Sequence, residues 1–183
     1  MKFIFDFDDV LFNTSKNPKN MREHIYSILE KTGVPFNLAK EYIEKERWNQ
    51  FSLKKMLAHF SLKEELYKEI MHESKNFVNK ELLEIIKKIG KSNCYIVSYG
   101  DEEFQLDKIN RSAIAPLFSE ILIVQDNKKD AIEKICAKHK DEKVIFIDDK
   151  ARHFEDLDFQ KYPNLQTILF DEQGLQKLMA ELD

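Results

Sequence analysis

Cysteine is scarce in this 183-residue chain: Cys94 and Cys136 stand far apart in apolar settings, with no metal-like or redox-like pairing. That excludes a disulfide scaffold, a thiolate zinc site and a dithiol redox centre, and leaves two reduced core thiols. No apolar run approaches the length of a membrane span, and the N-terminal residues lack a signal-peptide pattern. No basic run is present either; 29 basic and 33 acidic residues are well mixed and give a net charge of -4, so no nucleic-acid partner is expected. The five histidines show no i, i+4 metal spacing and carry no assigned role. There is no internal repeat and no low-complexity segment. These absences leave a soluble, cytoplasmic protein as the expectation, with no membrane contact, and they do not decide its oligomeric state. Hydrophobic residues make up 43% of the chain, enough for one ordinary domain, or one with a modest insertion.

What is present is concentrated first at the N-terminus. Phe3-Ile4-Phe5 reads as a short buried strand, and it runs into Asp6-Phe7-Asp8-Asp9. Side chains two apart on a strand point the same way, so Asp6 and Asp8 are expected to share one face while Phe7 takes the other. Holding two acids at the end of a buried element is costly unless a cation, or a division of labour between nucleophile and proton carrier, uses them. A solvated turn or a helix cap is the plain alternative. A calcium loop counted from Asp6 fails, because Leu11 and Asn17 stand where Gly and Glu would be needed.

Beyond a polar connector at 13–20 the period changes to helical. Met21, Ile25, Ile28 and Leu29 mark a helix ended by Gly33 and Pro35. Asn37 is expected to cap a second helix, Ser52 to open a third, and Ser61 with Glu64 to form the capping box of a fourth. After Asn79, which caps a further helix closed by Gly90, strands and helices alternate. Cys94–Val97, Ile121–Val124, Val144–Ile147 and Thr167–Phe170 read as strands, with Asp101 capping the helix after the first of them. Continuous apolar strands separated by amphipathic helices imply a doubly wound parallel sheet, an α/β fold of Rossmann-like type. The sequence therefore divides into a core (1–14 and 77–183) and a small all-helical insertion (15–76).

In such sheets a ligand site lies at the carboxyl ends of the strands. Asp6 and Asp8 follow the first strand, Ser98 the second, Lys128 the third, and Asp148 with Asp149 the fourth. Each has an ordinary explanation alone; their joint occurrence points to phosphoryl transfer. An Asp with an unperturbed pKa of ~3.9 is ionised at neutral pH, so Asp6 can attack phosphorus unaided. Carboxylate and phosphate repel, and Mg2+ held by Asp6 with Asp148 or Asp149 would offset the repulsion. Lys128, or Lys129 beside it, would neutralise the phosphate while the Ser98 hydroxyl orients it. Asp8 would protonate the leaving oxygen and later deprotonate water.

Asp6-Phe7-Asp8-Asp9-Val10, Ser98 after Tyr95-Ile96-Val97, Lys128 before Lys129-Asp130-Ala131-Ile132, and Ile147-Asp148-Asp149 together resemble the four ordered motifs of the haloacid dehalogenase-like (HAD) hydrolase superfamily. The resemblance covers the chain apart from the insertion, whose position is similar to that family's helical cap. It implies Asp6 as nucleophile, Asp8 as general acid/base, and Mg2+ bound by Asp6, the Asp8 backbone carbonyl and the Asp148-Asp149 pair. The second acid favours a phosphatase or phosphomutase over a dehalogenase, and a small phosphorylated metabolite as substrate. A receiver domain would order its acids differently. A non-catalytic phosphate-binding module of the same fold is the other alternative. Arg22, Arg47 and Trp48 of the insertion are candidates for substrate contacts, against the simpler reading of two solvated arginines and a cap-core tryptophan.

Overall fold

The computed structural model describes residues 1–47 and 49–182. Five parallel strands form one sheet: β1 (Lys2–Phe5), β2 (Cys94–Tyr99), β3 (Glu120–Val124), β4 (Val144–Asp148) and β5 (Leu165–Leu169), in the order β3-β2-β1-β4-β5. β1 lies between β2 and β4, pairing Phe5 with Ile96 on one side and with Ile147 on the other. This is the doubly wound α/β arrangement expected from the apolar strands.

Alternation along the strands divides the interior into two layers. Phe3, Phe5, Ile96, Ile145 and Ile147 face one buried cluster, which also takes in Leu82 and Ile86 of α5 (Lys80–Ile89), Ile109 of α6 (Glu102–Arg111) and Leu178 near the C-terminus. Ile4, Tyr95, Val97, Val144 and Phe146 face a smaller cluster built with Ile132, Ile135 and Cys136 of α7 (Lys129–Lys138). Cys94 and Cys136 are free, buried thiols. Burial raises the Cys136 thiol to about 11, so both cysteines act as packing residues.

Between β1 and α5 the chain forms α1 (Met21–Lys31), α2 (Phe36–Glu46), α3 (Leu53–His59) and α4 (Glu65–His72). Their apolar faces, including Met21, Ile25, Leu29, Met56 and Ile70, belong to the same buried cluster as the Phe3 face of the sheet, joined to it through Phe7, Phe12 and Phe77. Asn79 and Asp101 cap α5 and α6 as their spacing predicts, accepting from Leu82 N and Phe104 N. Two expected caps are not made. α2 begins two residues early, with Pro35 at its cap position rather than Asn37; the φ of -60° at Pro35 is the one its ring fixes. Ser61 adopts φ 54° and donates its N–H to the Ala58 carbonyl, closing α3 instead of capping α4. No helix among the described residues is long and apolar enough to cross a membrane.

Candidate functional site

The site is assembled where β1 and β4 end side by side. The Asp6 N–H donates to the Ile147 carbonyl at 2.8 Å, which sets Asp6 next to Asp148 at the carboxyl end of the sheet. Both acids continue the alternation of Ile4 and Phe146, so their carboxylates leave the same face. Lys128, at the start of α7, brings a buried ammonium between them, 2.7 Å from Asp6 Oδ1 and 2.6 Å from Asp148 Oδ2. Lys129 points elsewhere, its Nζ 3.8 Å from Glu133.

The two central acids titrate in opposite directions. Burial drives Asp6 up to about 7, against the pull of Lys128 and with a further push from Asp148. Burial also acts upward on Asp148, but the His153 hydrogen bond and Lys128 hold it down at about 2. The two carboxylates share one buried ammonium, and Lys150 adds a further pull on Asp6. One oxygen of each of the two acids and one nitrogen of His153 lie within 4.8 Å of one another. Buried carboxylate oxygens gathered in this way fit a divalent cation.

Asp8 is held differently. Its Oδ1 accepts from Lys108 Nζ at 2.5 Å and from the Thr14 hydroxyl, and its Oδ2 accepts from Gln105 Nε2 at 2.6 Å. Burial opposes ionisation, yet Lys108 and these donors hold the carboxyl at about 2. Lys108 is itself buried, and its ammonium sits 4.9 to 5.4 Å from the ring centres of Phe104, Phe7 and Phe12. Asp9 takes φ 60°, which Asp tolerates better than most residues, and its Oδ1 accepts from the N–H groups of Thr14, Ser15 and Lys16. The third acid of the N-terminal stretch therefore shapes the turn into the insertion.

Two further residues singled out in the sequence have other surroundings. Ser98 is fully buried and shares the sheet face of Cys94 and Ile96; its hydroxyl has no hydrogen-bond partner among the described residues. The next two residues, Tyr99 and Gly100, line the cavity instead. Asp149 turns to lysines, with Oδ2 3.1 Å from Lys16 and Oδ1 3.4 Å from Lys150. Burial lowers Lys150, but Asp6, Asp149, Asp8 and Asp148 outweigh it and raise that ammonium.

The cavity over these groups has a volume of about 210 Å³. Arg22 and Arg47 border it and share Glu44, at 3.3 and 2.8 Å. Trp48 lies outside the described residues.

Several members of the site escaped the sequence. Lys108 left a signal, since it falls four residues after Phe104 on the apolar face of α6, where an unpaired lysine is out of place. His153 left none: it reaches Asp148 from five residues away across a strand-to-helix turn, and no helical spacing rule covers that geometry.

No protein-family model and no curated protein matches the sequence. Solved structures do. A haloacid dehalogenase-like hydrolase from Burkholderia xenovorans LB400 superposes with a TM-score of 0.65 at 18% identity, covering 96% of this chain and 89% of that one. The HAD-hydrolase YfnB from Bacillus subtilis, solved bound to magnesium, gives 0.60 at 13% identity over 100% of this chain and 98% of that one. A hydrolase from Streptococcus pneumoniae TIGR4 gives 0.60 at 16% identity, with 98% and 97% covered.

Proposed function

From a chain with the fold of the haloacid dehalogenase-like hydrolases, we propose a phosphomonoester hydrolase that works through an aspartyl phosphate. The observation that carries the reading is the shared ammonium: Lys128 bridges Asp6 and Asp148 at the end of adjacent buried strands, beside a third, fully hydrogen-bonded acid, Asp8. Structural ion pairs do not require two buried acids on one lysine at the mouth of a cavity.

In this mechanism Lys128 and the Phe7 N–H engage Asp6 Oδ1, and Oδ2 attacks phosphorus. The Oδ2–P bond forms as the ester P–O bond breaks. Asp8 supplies the proton that the leaving oxygen requires. In the second half Asp8 takes a proton from water as its oxygen attacks phosphorus and the Oδ2–P bond breaks. The grip of Lys108, Gln105 and Thr14 keeps Asp8 ionised, which suits the water-activating half, so esters with good leaving groups depend least on Asp8 as an acid. A divalent cation, Mg2+ by the sequence resemblance, would be held by Asp6, the Asp8 carbonyl and Asp148, with Asp149 behind it. When bound, it would offset the repulsion between carboxylate and phosphate.

The cavity, at about 210 Å³, falls below the ~300 Å³ at which sites for drug-sized ligands begin, which supports a small phosphorylated metabolite. Residues 15–76 serve as the cap, with Arg22 and Arg47 on its cavity side, over a core of 1–14 and 77–183. Purified protein with Mg2+ should release phosphate from an aryl phosphate, lose that activity to a chelator, and lose it wholly in Asp6→Asn. Wild-type turnover in Asp6→Asn would remove the nucleophile and with it the reading.

A further inference from the structure

We propose that Lys150 is a further catalytic residue, whose ammonium holds the transferring phosphoryl group, a task that the buried Lys128 can fill only in part. The inference rests on the proposed function and adds a second cation to the same site.

Lys128 is already committed. A lysine has three N–H donors, and Asp6 Oδ1 at 2.7 Å and Asp148 Oδ2 at 2.6 Å take two of them. The lysine and both acids are buried, so Lys128 has at most one N–H to offer a phosphate. A phosphomonoester presents three non-bridging oxygens, and these carry the charge of the transition state. A single donor does not satisfy that group.

Lys150 is placed to supply the rest. It follows the Asp148-Asp149 pair in the turn from β4 into the short helix α8 (Arg152–Glu155). Its N–H donates to Asp148 Oδ1 at 2.9 Å, and its carbonyl accepts from the His153 N–H at 3.1 Å. The backbone is thereby tied to the strand end, while the half-buried side chain borders the cavity with Asp6, Asp8 and Lys128. Its Nζ stands 3.4 Å from Asp149 Oδ1, beyond the ~2.9 Å of a strong charge-assisted hydrogen bond, so that contact leaves its donors available. Asp6 and Asp8 both act on this ammonium, and they are the nucleophile and the proton carrier that flank the phosphoryl group in the reaction. Lys16 provides the contrast, since it pairs with the same Asp149, at 3.1 Å, but does not line the cavity.

The competing role for Lys150 is that of a counter-ion to the acids, displaced when a divalent cation binds. In that role its loss would tighten metal binding and leave phosphate affinity untouched.

Three measurements on the full chain decide between these: phosphorus NMR titration with inorganic phosphate in the presence of Mg2+, calorimetry with Mg2+ alone, and steady-state kinetics on an aryl phosphate. The proteins are the wild type, Lys150→Met, Lys150→Gln and Lys16→Met. Both Lys150 variants should lose at least about tenfold in phosphate affinity and in kcat/KM, the effect of removing a hydrogen bond to a charged group, with no gain in Mg2+ affinity. Lys16→Met should follow the wild type in phosphate binding. Unchanged phosphate affinity or unchanged kcat/KM in both Lys150 variants, with or without tighter Mg2+ binding, overturns the proposal and leaves the hydrolase reading intact. An equal loss of phosphate affinity in Lys16→Met does the same. Loss of phosphate binding in the Lys150 variants of a protein that hydrolyses no ester supports the assignment of Lys150 to the phosphate and counts against the phosphatase. A wild type that neither binds phosphate nor hydrolyses an ester overturns both.

Discussion

At the scale of single residues the site is a set of opposed charges, and their opposition has measurable consequences. Asp6 is pushed up to about 7 by burial and by Asp148, so the folded protein resists its ionisation. Without metal this group weakens the fold as pH rises from the ordinary carboxylate range toward 7, and the loss levels off above that. Asp6→Asn should therefore raise the stability of the metal-free protein at pH 8 by ~2 kcal/mol and leave it unchanged near pH 3. Denaturant titrations at the two pH values test this; equal stability at pH 8 would mean that Asp6 is not strained. Asp8 carries the reverse sign. Held at about 2 by Lys108 against the upward effect of burial, it contributes stability fully present above about pH 4, and that contribution disappears as pH falls through 2. The difference in stability between wild type and Asp8→Asn should approach ~2 kcal/mol at pH 6 and shrink steadily in acid. A pH-independent difference would show that Lys108 does not favour the charged carboxylate.

At the scale of elements α6 connects the insertion to the acids. On one side Gln105 and Lys108 hold Asp8; on the other Glu103 pairs with Lys54 of α3, and Asp107 accepts from the Tyr67 hydroxyl of α4 at 2.9 Å. Gly100, just before α6, has φ 146°, and a Cβ there would come within 2.9 Å of Gln105 Nε2, so the close approach of helix to strand end depends on glycine. Gln50, itself at φ 58°, adds a third bridge by donating to the Gln125 carbonyl at 2.9 Å. Tyr67→Phe removes one bridge without disturbing any acid of the site. A net hydrogen bond of ~1 kcal/mol predicts a rise in KM of about two- to tenfold with kcat changed less. Steady-state kinetics on an aryl phosphate measures both constants, and a fall in kcat at unchanged KM would separate the bridge from substrate closure.

At the scale of the whole molecule, metal binding should register as stability. An ion that binds the folded state alone, present at 100 times its Kd, adds about 2.7 kcal/mol. Thermal melts should accordingly shift upward with added divalent ion and return with chelator, and Asp148→Asn should flatten the response. The same scale separates what was legible from what was not. Strands with unbroken apolar runs, such as Val144–Ile147, and helices with apolar residues on one side were readable because their periods are local properties of the chain. Placing Asp6 near Asp148 was readable too, since parallel strands must end on the same side of the sheet. The surroundings of Ser98 were not readable: it shares the strand parity of Ile96, and its buried hydroxyl has no partner among the described residues. The ion pairs of Lys108 with Asp8 and of Lys16 with Asp149 span about a hundred residues or more of chain, and such partners obey no spacing. The sequence by itself determined the fold class, the order of the strands along the chain and the acids carried at their ends, because burial and backbone periodicity act over neighbouring residues. Which amine neutralises which acid, and that a histidine joins them, was decided only by tertiary packing, because electrostatic partners are chosen by distance in space.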